Sequence, residues 1–365
     1  MRVLELPSGV APRMWGLIHG ESYRSEIKSL AEIRSYLCTK VGSFTQREQV
    51  MACAKAHLPV LARYDAALYE ELLGIAEGAQ VTPEDIVIAN HYTDLRDLDP
   101  DPATWIAAPT TDMPGGVAHG RGGVVADGCS MFFSSKILAQ TWDMHATAIP
   151  YVMALRVPES EAGPASTLLT VTGCLGMAGM NTAKVGIAIN NLYSTDATLG
   201  VVWPAMVRKA LREKTARAAY DVIAASPIGS GHHYFVADAK EAFGLETSGT
   251  RRKTLPVDTH YCHANHCLDA DIEARSKVPP TSTTYDRQKL LEADLERAPV
   301  HDLDDAWRRL GSTDGWPRSI CTNMATPEAP HGVATCGAIA MNLITGEVYV
   351  QQGFINNVKP ERYQL

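Results

Sequence analysis

Ala126-Asp127-Gly128-Cys129-Ser130-Met131-Phe132-Phe133 is the stretch whose reading decides this chain. A residue without Cβ precedes a thiol, and a strand-like apolar run follows. If the Gly128–Cys129 bond breaks, Cys129 gains a free α-amine beside its own sulfur, and one residue then holds nucleophile and base. Such self-cleavage needs a thiol that reaches the preceding carbonyl, a bent backbone, and water to hydrolyse the thioester. Glycine tolerates the strained backbone. A cysteine thiol has an unperturbed pKa of about 8.5 and an α-amine one of about 7.7–8.0, so the amine can accept the thiol proton near neutral pH. The tetrahedral intermediates would need fixed hydrogen-bond donors. Taken alone, the dipeptide also fits a buried structural cysteine at a strand start.

The texture of the chain changes at this point. Before it, residues 1–44 read as a short strand and a helix, and residues 45–78 as strongly helical. Leu58, Leu61, Tyr64, Leu68, Leu72 and Leu73 recur there at three- and four-residue spacing, a core stripe. Gly78-Ala79-Gln80-Val81 ends that helix, and Thr82-Pro83 opens another with an N-cap and a proline at the first position. Residues 98–125, rich in Pro, Gly and Asp, read as a linker. After Cys129 come short strands: Met131–Ser134, Ile137–Trp142, Tyr151–Val157, Ser166–Thr172 and Val185–Asn190. A helical block at 203–225 follows, then strands at His233–Ala237, Ala242–Glu246 and Thr259–His263. Residues 284–311 read as helical, and 337–350 as a hairpin around Thr345-Gly346. Strands, then helices, then strands indicate a layered α+β fold rather than βαβ alternation.

Several further segments fall in the order of one family. Leu72-Leu73-Gly74-Ile75-Ala76-Glu77-Gly78-Ala79, with Thr82-Pro83-Glu84-Asp85-Ile86 and Asn90, resembles its pre-cleavage helical segment. Asp127-Gly128-Cys129-Ser130 resembles its autoproteolysis site, and Gln140-Thr141-Trp142-Asp143 its Gln-Asn-Trp-Asp segment. Gly176-Met177-Ala178-Gly179-Met180-Asn181 with Val185-Gly186-Ile187-Ala188, and His263-Ala264-Asn265-His266, resemble two more blocks. The family is that of isopenicillin-N acyltransferase (acyl-coenzyme A:6-aminopenicillanic acid acyltransferase), among the peptidase-like N-terminal-nucleophile (Ntn) hydrolases. The resemblance implies an α+β, four-layer α-β-β-α sandwich. It implies self-cleavage into a mostly helical segment 1–128 and a nucleophile-bearing segment 129–365, both parts of one folded unit. It further implies that Cys129 is the nucleophile and Gly128 its scissile partner. Asp143 would anchor the new ammonium or assist cleavage, and Asn265 would donate to the oxyanion without titrating.

Departures from the family pattern are Ser130 for threonine, Thr141 for asparagine and Lys184 where glycine is usual; Lys184 reads as solvated. Trp316-Pro317-Arg318-Ser319-Ile320-Cys321 lies near a family serine or arginine position, which makes Ser319 a further candidate. Asp143 could instead cap a turn. Its fourteen-residue distance from Cys129 nevertheless lets the two strands pair as a hairpin, carrying the carboxylate back toward the thiol.

His260, Cys262, His263, His266 and Cys267 form a dense cluster, and a non-enzymatic metal-binding or regulatory protein is the contrasting reading. On a strand, however, Cys262 and His263 point apart, and the paired Cys-x-x-Cys signature is absent. No metal and no cofactor are therefore expected. A Gly-x-Ser-x-Gly elbow and a phosphate loop are also missing.

Bulk properties exclude other classes. The 365 residues are 45% hydrophobic and 20% charged, with net charge −8, ordinary for a globular protein. No basic run suggests nucleic acid, and no apolar stretch approaches a membrane span. The first residues lack the pattern of a secretory signal, so the cytoplasm is expected. Eight scattered cysteines read as reduced core residues, Cys129 excepted. The expected activity is an amidohydrolase or acyltransferase working on linear amides of small N-acyl amines or acylated amino compounds, through an acyl-thioester on Cys129. Hydrolysis of acyl-β-alanyl amines occurs among relatives. An acyl-coenzyme A-dependent N-acyltransferase is the alternative, although nothing resembles a nucleotide site. The partners expected are the small acyl substrate and the two fragments themselves; assembly into a homo-oligomer is left open.

Overall fold

A computed structural model describes residues 1–112, 128–356 and 358–365. Asp127, Gly115-Gly116, Gly122-Gly123 and the linker reading beyond residue 112 lie outside the described residues. The chain opens with β1 (Arg2–Glu5), α1 (Pro12–Ser22), α2 (Arg24–Lys40), α3 (Arg47–Tyr64), α4 (Ala66–Ala79) and α5 (Pro83–Asp97). The apolar stripe across 45–78 is thus carried by two helices. Asp65 divides them: its backbone is extended, and its Oδ1 accepts from Leu68 N at 2.9 Å, which starts α4 afresh. Gln80 ends α4 in the left-handed region with φ 57°. Thr82 starts α5 with a reciprocal capping box to Asp85.

The second part begins with β2 (Gly128–Ser134), β3 (Ile137–His145), β4 (Val152–Val157), β5 (Ser166–Val171), β6 (Ala178–Asn181) and β7 (Gly186–Asn191). Helices α6 (Trp203–Ala210) and α7 (Ala216–Ala224) follow, then β8 (His232–Ala237), β9 (Ala242–Thr247), β10 (Arg252–Leu255) and β11 (His260–His263). Last come α8 (Ala270–Glu273), α9 (Thr284–Arg297), α10 (Leu303–Leu310), β12 (Val333–Asn342), β13 (Glu347–Gln352) and β14 (Glu361–Gln364). The helical blocks at 203–225 and 284–311 are each split by a new N-cap, Thr215 and Asp302. The short strands β6, β10 and β14 are not among those expected from the sequence.

Two sheets result, ordered β1-β4-β5-β6-β7-β8-β9-β10 and β11-β2-β3-β12-β13-β14. Strand parity assigns their faces. Phe133 of β2 meets Phe235 of β8 with ring centroids 5.3 Å apart, so these residues line the space between the sheets. Phe132 points the other way and packs with Leu291 and Leu295 of α9 and Leu303 and Trp307 of α10. On the far side of the larger sheet, His232 of β8 reaches Asp94 of α5 at 2.9 Å and faces Trp203 of α6. The protein is therefore an α+β, four-layer α-β-β-α sandwich. Burying each large apolar side chain contributes about 1.5–3 kcal/mol.

Within the first helical layer α1 and α4 touch backbone to backbone. A Cβ placed on Gly16 would lie 2.0 Å from Glu71 O, and one on Gly74 would lie 2.2 Å from Arg13 O. Only glycine permits that approach.

Candidate active site

β2 and β3 pair as an antiparallel hairpin in the register Gly128↔Asp143, Cys129↔Trp142 and Ser130↔Thr141. Cross-strand partners share a face, so Cys129 points between the sheets with Trp142, Met131 and Phe133. Asp143 projects from the opposite face, alongside Gly128. The hairpin thus carries the carboxylate to the Gly128–Cys129 peptide rather than to the sulfur. A Cβ on Gly128 would sit 3.2 Å from Asp143 Oδ2 and 3.4 Å from Arg287 Nη2, a tight approach in which these side chains would have to give by a few tenths of an ångström.

Cys129 is 3% exposed, and its main chain is held on every polar atom. Its N–H donates to Asn265 Oδ1 at 2.6 Å. Its carbonyl accepts from Arg287 Nη1 at 2.7 Å and from Asn190 Nδ2 at 3.1 Å. Arg287 also donates to Ser130 Oγ (3.0 Å), to Asn265 Oδ1 (2.9 Å) and, through Nε, to Thr283 Oγ1 (3.0 Å). The guanidinium is fully buried, and its planar fork joins α9 to Cys129 and Ser130 of β2.

Asp143 is also fully buried, and neither carboxylate oxygen completes a hydrogen bond among the described residues. Burial pushes its pKa up to about 7, opposed by Arg287 and by the nearby hydroxyls of Thr335 and Thr141. Those hydroxyls accept from Thr322 N and Ser130 N, which leaves their protons free to turn to the carboxylate.

Asn265 sits just beyond β11. Its loop is fixed from below by Glu246 of β9, which accepts from Leu268 N (2.7 Å) and Asp269 N (2.9 Å) and meets His263 Nε2 at 2.7 Å. Asn265 N donates to Thr284 Oγ1, and its Nδ2 donates to Asn191 O at 2.9 Å. In the intact chain, therefore, its carboxamide oxygen faces the Cys129 nitrogen and its amide group is engaged elsewhere. Ser319 is buried, with its hydroxyl donating to Cys321 O at 2.7 Å; no contact with Cys129 is seen among the described residues. Lys184 is left-handed at φ 64°, which explains why glycine suits that position, and its Nζ donates to Ile344 O.

The Cys/His cluster is dispersed by strand parity. Cys262 faces α9 and Gln288, whereas His263 faces Glu246. His266 joins Thr284, Cys267 packs with Leu192 and Ile272, and His260 is exposed. Among the described residues no three His, Cys, Asp or Glu side chains converge on a metal-sized point. All eight cysteines are buried, and none forms a disulfide among the described residues.

The sequence reading missed Arg287 and Asn190. For Arg287 a signal existed: Thr284, Arg287, Gln288, Leu291 and Leu295 share the buried face of α9, so an arginine occupies a core position of its helix. Asn190 ends a run of apolar strand residues and carries no local mark.

Two sheets between helical layers carry Cys129 at the head of an inner strand, and the family this chain matches makes it an enzyme of the acyltransferase type. The chain belongs to the acyl-coenzyme A:6-aminopenicillanic acid acyl-transferase family, which residues 133–349 match. The acyl-coenzyme A:6-aminopenicillanic-acid-acyltransferase 40 kDa form of Emericella nidulans is 25% identical over 315 residues, covering 84% of this chain and 75% of that protein. Among solved structures, penicillin V acylase from Agrobacterium tumefaciens matches with TM-score 0.33 at 11% identity, covering 64% of this chain and 84% of that one. A mutant conjugated bile acid hydrolase from Clostridium perfringens matches with TM-score 0.37 at 11% identity, covering 65% and 92%.

Proposed function

We propose that this enzyme cleaves itself between Gly128 and Cys129 and then uses Cys129 to hydrolyse or transfer the acyl group of small linear amides. The observation that carries the reading is the fully buried Asp143 carboxylate, packed against Gly128 and beside Arg287. In self-cleavage, Cys129 Sγ attacks the Gly128 carbonyl carbon, and the Cys129 nitrogen leaves with a proton. Water hydrolyses the resulting thioester, freeing the thiol and a Gly128 carboxylate. The new α-amino group lies between Asp143 and the Asn265 oxygen, and its neutral form is the base in turnover.

In turnover the α-amine takes the thiol proton as Sγ attacks the substrate carbonyl, and the leaving amine departs protonated. The acyl group then rests on Sγ until water or a second amine removes it. Asn265 Nδ2 supplies an oxyanion donor once it releases Asn191 O. The substrate class is small N-acyl amines or acylated amino compounds, and segments 1–128 and 129–365 stay together as one folded unit. Ser319, its hydroxyl held on Cys321 O, supports the loop rather than the chemistry. No helix among the described residues is long and apolar enough to cross a membrane, and a cytoplasmic site of action fits this reading.

Intact mass under denaturing conditions tests the proposal: two fragments meeting at 128/129 are expected, and one uncut chain for Cys129→Ala. Purified wild-type protein that stays uncut and turns over no N-acyl amine would overturn it. The Emericella relative favours a second reading, acyl transfer from acyl-coenzyme A. Amine acylation that depends on added acyl-coenzyme A would select it.

A further inference from the structure

Behind Cys129, three buried side chains cross from one sheet to the other. Tyr261 of β11 meets His233 Nε2 of β8 at 3.0 Å. His233 Nδ1 meets Asn190 Oδ1 of β7 at 3.0 Å, the two residues being direct neighbours across the β7–β8 pair. Asn190 Nδ2 then spans the carbonyls of Cys129 and His263, each at 3.1 Å. We propose that His233 and Tyr261 are positioning residues for the nucleophile, acting through Asn190 on the carbonyl of Cys129. The proposal rests on the reading of Cys129 as nucleophile.

The direction of every bond in this run is forced. A carbonyl only accepts, so the amide group of Asn190 must face Cys129 and His263, and its oxygen must face His233. His233 Nδ1 therefore carries the proton. Burial and the adjacent His263 hold the pKa of His233 well below its usual value, so the ring is neutral and Nε2 is a lone pair. The Tyr261 hydroxyl is then the donor to Nε2. The His233 ring also stacks on that of His263, with centroids 3.8 Å apart and planes within 4°, which limits its tilt. Without the Tyr261 hydroxyl, only Asn190 selects this tautomer. With the proton on Nε2, two lone pairs meet between His233 and Asn190, and the Asn190 amide turns over. Its oxygen would then face two carbonyls, and the peptide plane after Cys129 would lose one of its two holders. Arg287 is the other, so the effect is a loss of rate rather than its abolition.

The test uses the full chain with His233→Leu, His233→Gln and Tyr261→Phe. Self-cleavage is followed by intact mass. The rate of Cys129 alkylation by iodoacetamide is followed by peptide mass mapping across pH. Glutamine can donate to Asn190 and accept from Tyr261, whereas leucine can do neither. His233→Leu is expected to slow self-cleavage by about 10-fold and to change the pH profile of Cys129 alkylation; Tyr261→Phe should do the same to a smaller extent. His233→Gln should recover most of the rate. A folded His233→Leu chain that cleaves and alkylates as wild type overturns the proposal, and so does an equal loss in His233→Gln. If His233→Leu does not fold, Tyr261→Phe, which removes one oxygen, decides by the same two readouts. If the wild type never cleaves, the reading of Cys129 as nucleophile fails on that result. The Cys129 alkylation profiles still decide the positioning claim.

Discussion

Asp143 and Arg287 form the electrostatic centre of the site, and each makes a separate expectation. The folded pKa of Asp143 is raised from 3.8 to about 7. The folded chain then binds more protons than the unfolded one between these values, so stability falls as pH rises through that window. This applies to the uncut chain, where no ammonium faces the carboxylate. In Cys129→Ala, the urea midpoint should drop between about pH 4 and 7; adding Asp143→Asn should flatten that part of the profile. An unchanged slope would show that Asp143 is ionised throughout. Arg287 holds the Cys129 carbonyl and the Asn265 oxygen together. Arg287→Met should cut self-cleavage by about 10²-fold, in line with losing one preorganised donor, as read by intact mass over time. Part of this was legible in sequence: the strand-turn-strand spacing of 129 and 143 puts them on paired strands. The face each occupies was not, because it depends on a register that shifts by single residues.

At the scale of elements, the α1–α4 contact is a helix–helix approach that glycine controls. Gly74→Ala would drive a methyl into Arg13 O, and overpacking of this kind costs about 1–3 kcal/mol. A lowered urea midpoint with unchanged slope is expected; wild-type stability would mean the two helices separate freely. The helix starts behave more simply. The capping box of α5 was readable from Thr82-Pro83 because capping is local chemistry. The breaks inside the helical stretches at 45–78, 203–225 and 284–311 were not read. They fall at Asp65, Thr215 and Asp302, each of which restarts a helix, and apolar periodicity carries no mark of an N-cap.

For the whole molecule, the question is what would hold 1–128 to 129–365 after cleavage. β1 pairs in parallel with β4. Arg208 of α6 donates to both oxygens of Glu71 in α4, at 3.2 and 2.9 Å, and both side chains are buried. Asp97 of α5 accepts from Ser194 N and Ser230 Oγ. The fragments should therefore elute together from a native sizing column and part only under denaturant. Arg208→Ala leaves Glu71 buried and uncompensated, a loss of about 3–5 kcal/mol, seen as a lower denaturation midpoint. Glu71→Gln with Arg208→Met should cost less, since no lone charge stays behind.

Sequence alone determined the layered α+β order, the family and the nearness of Asp143 to the residues around Cys129, because periodicity, capping and motif order are written in contiguous residues. Tertiary structure decided that Asp143 faces the peptide and not the sulfur, that Asn265 presents its oxygen to Cys129, and that Arg287 and Asn190 close the site. Those four side chains come from four separate elements. Their meeting is fixed by strand register and by how a helix lies on a sheet, quantities that depend on the packing of the whole chain rather than on any local run of it.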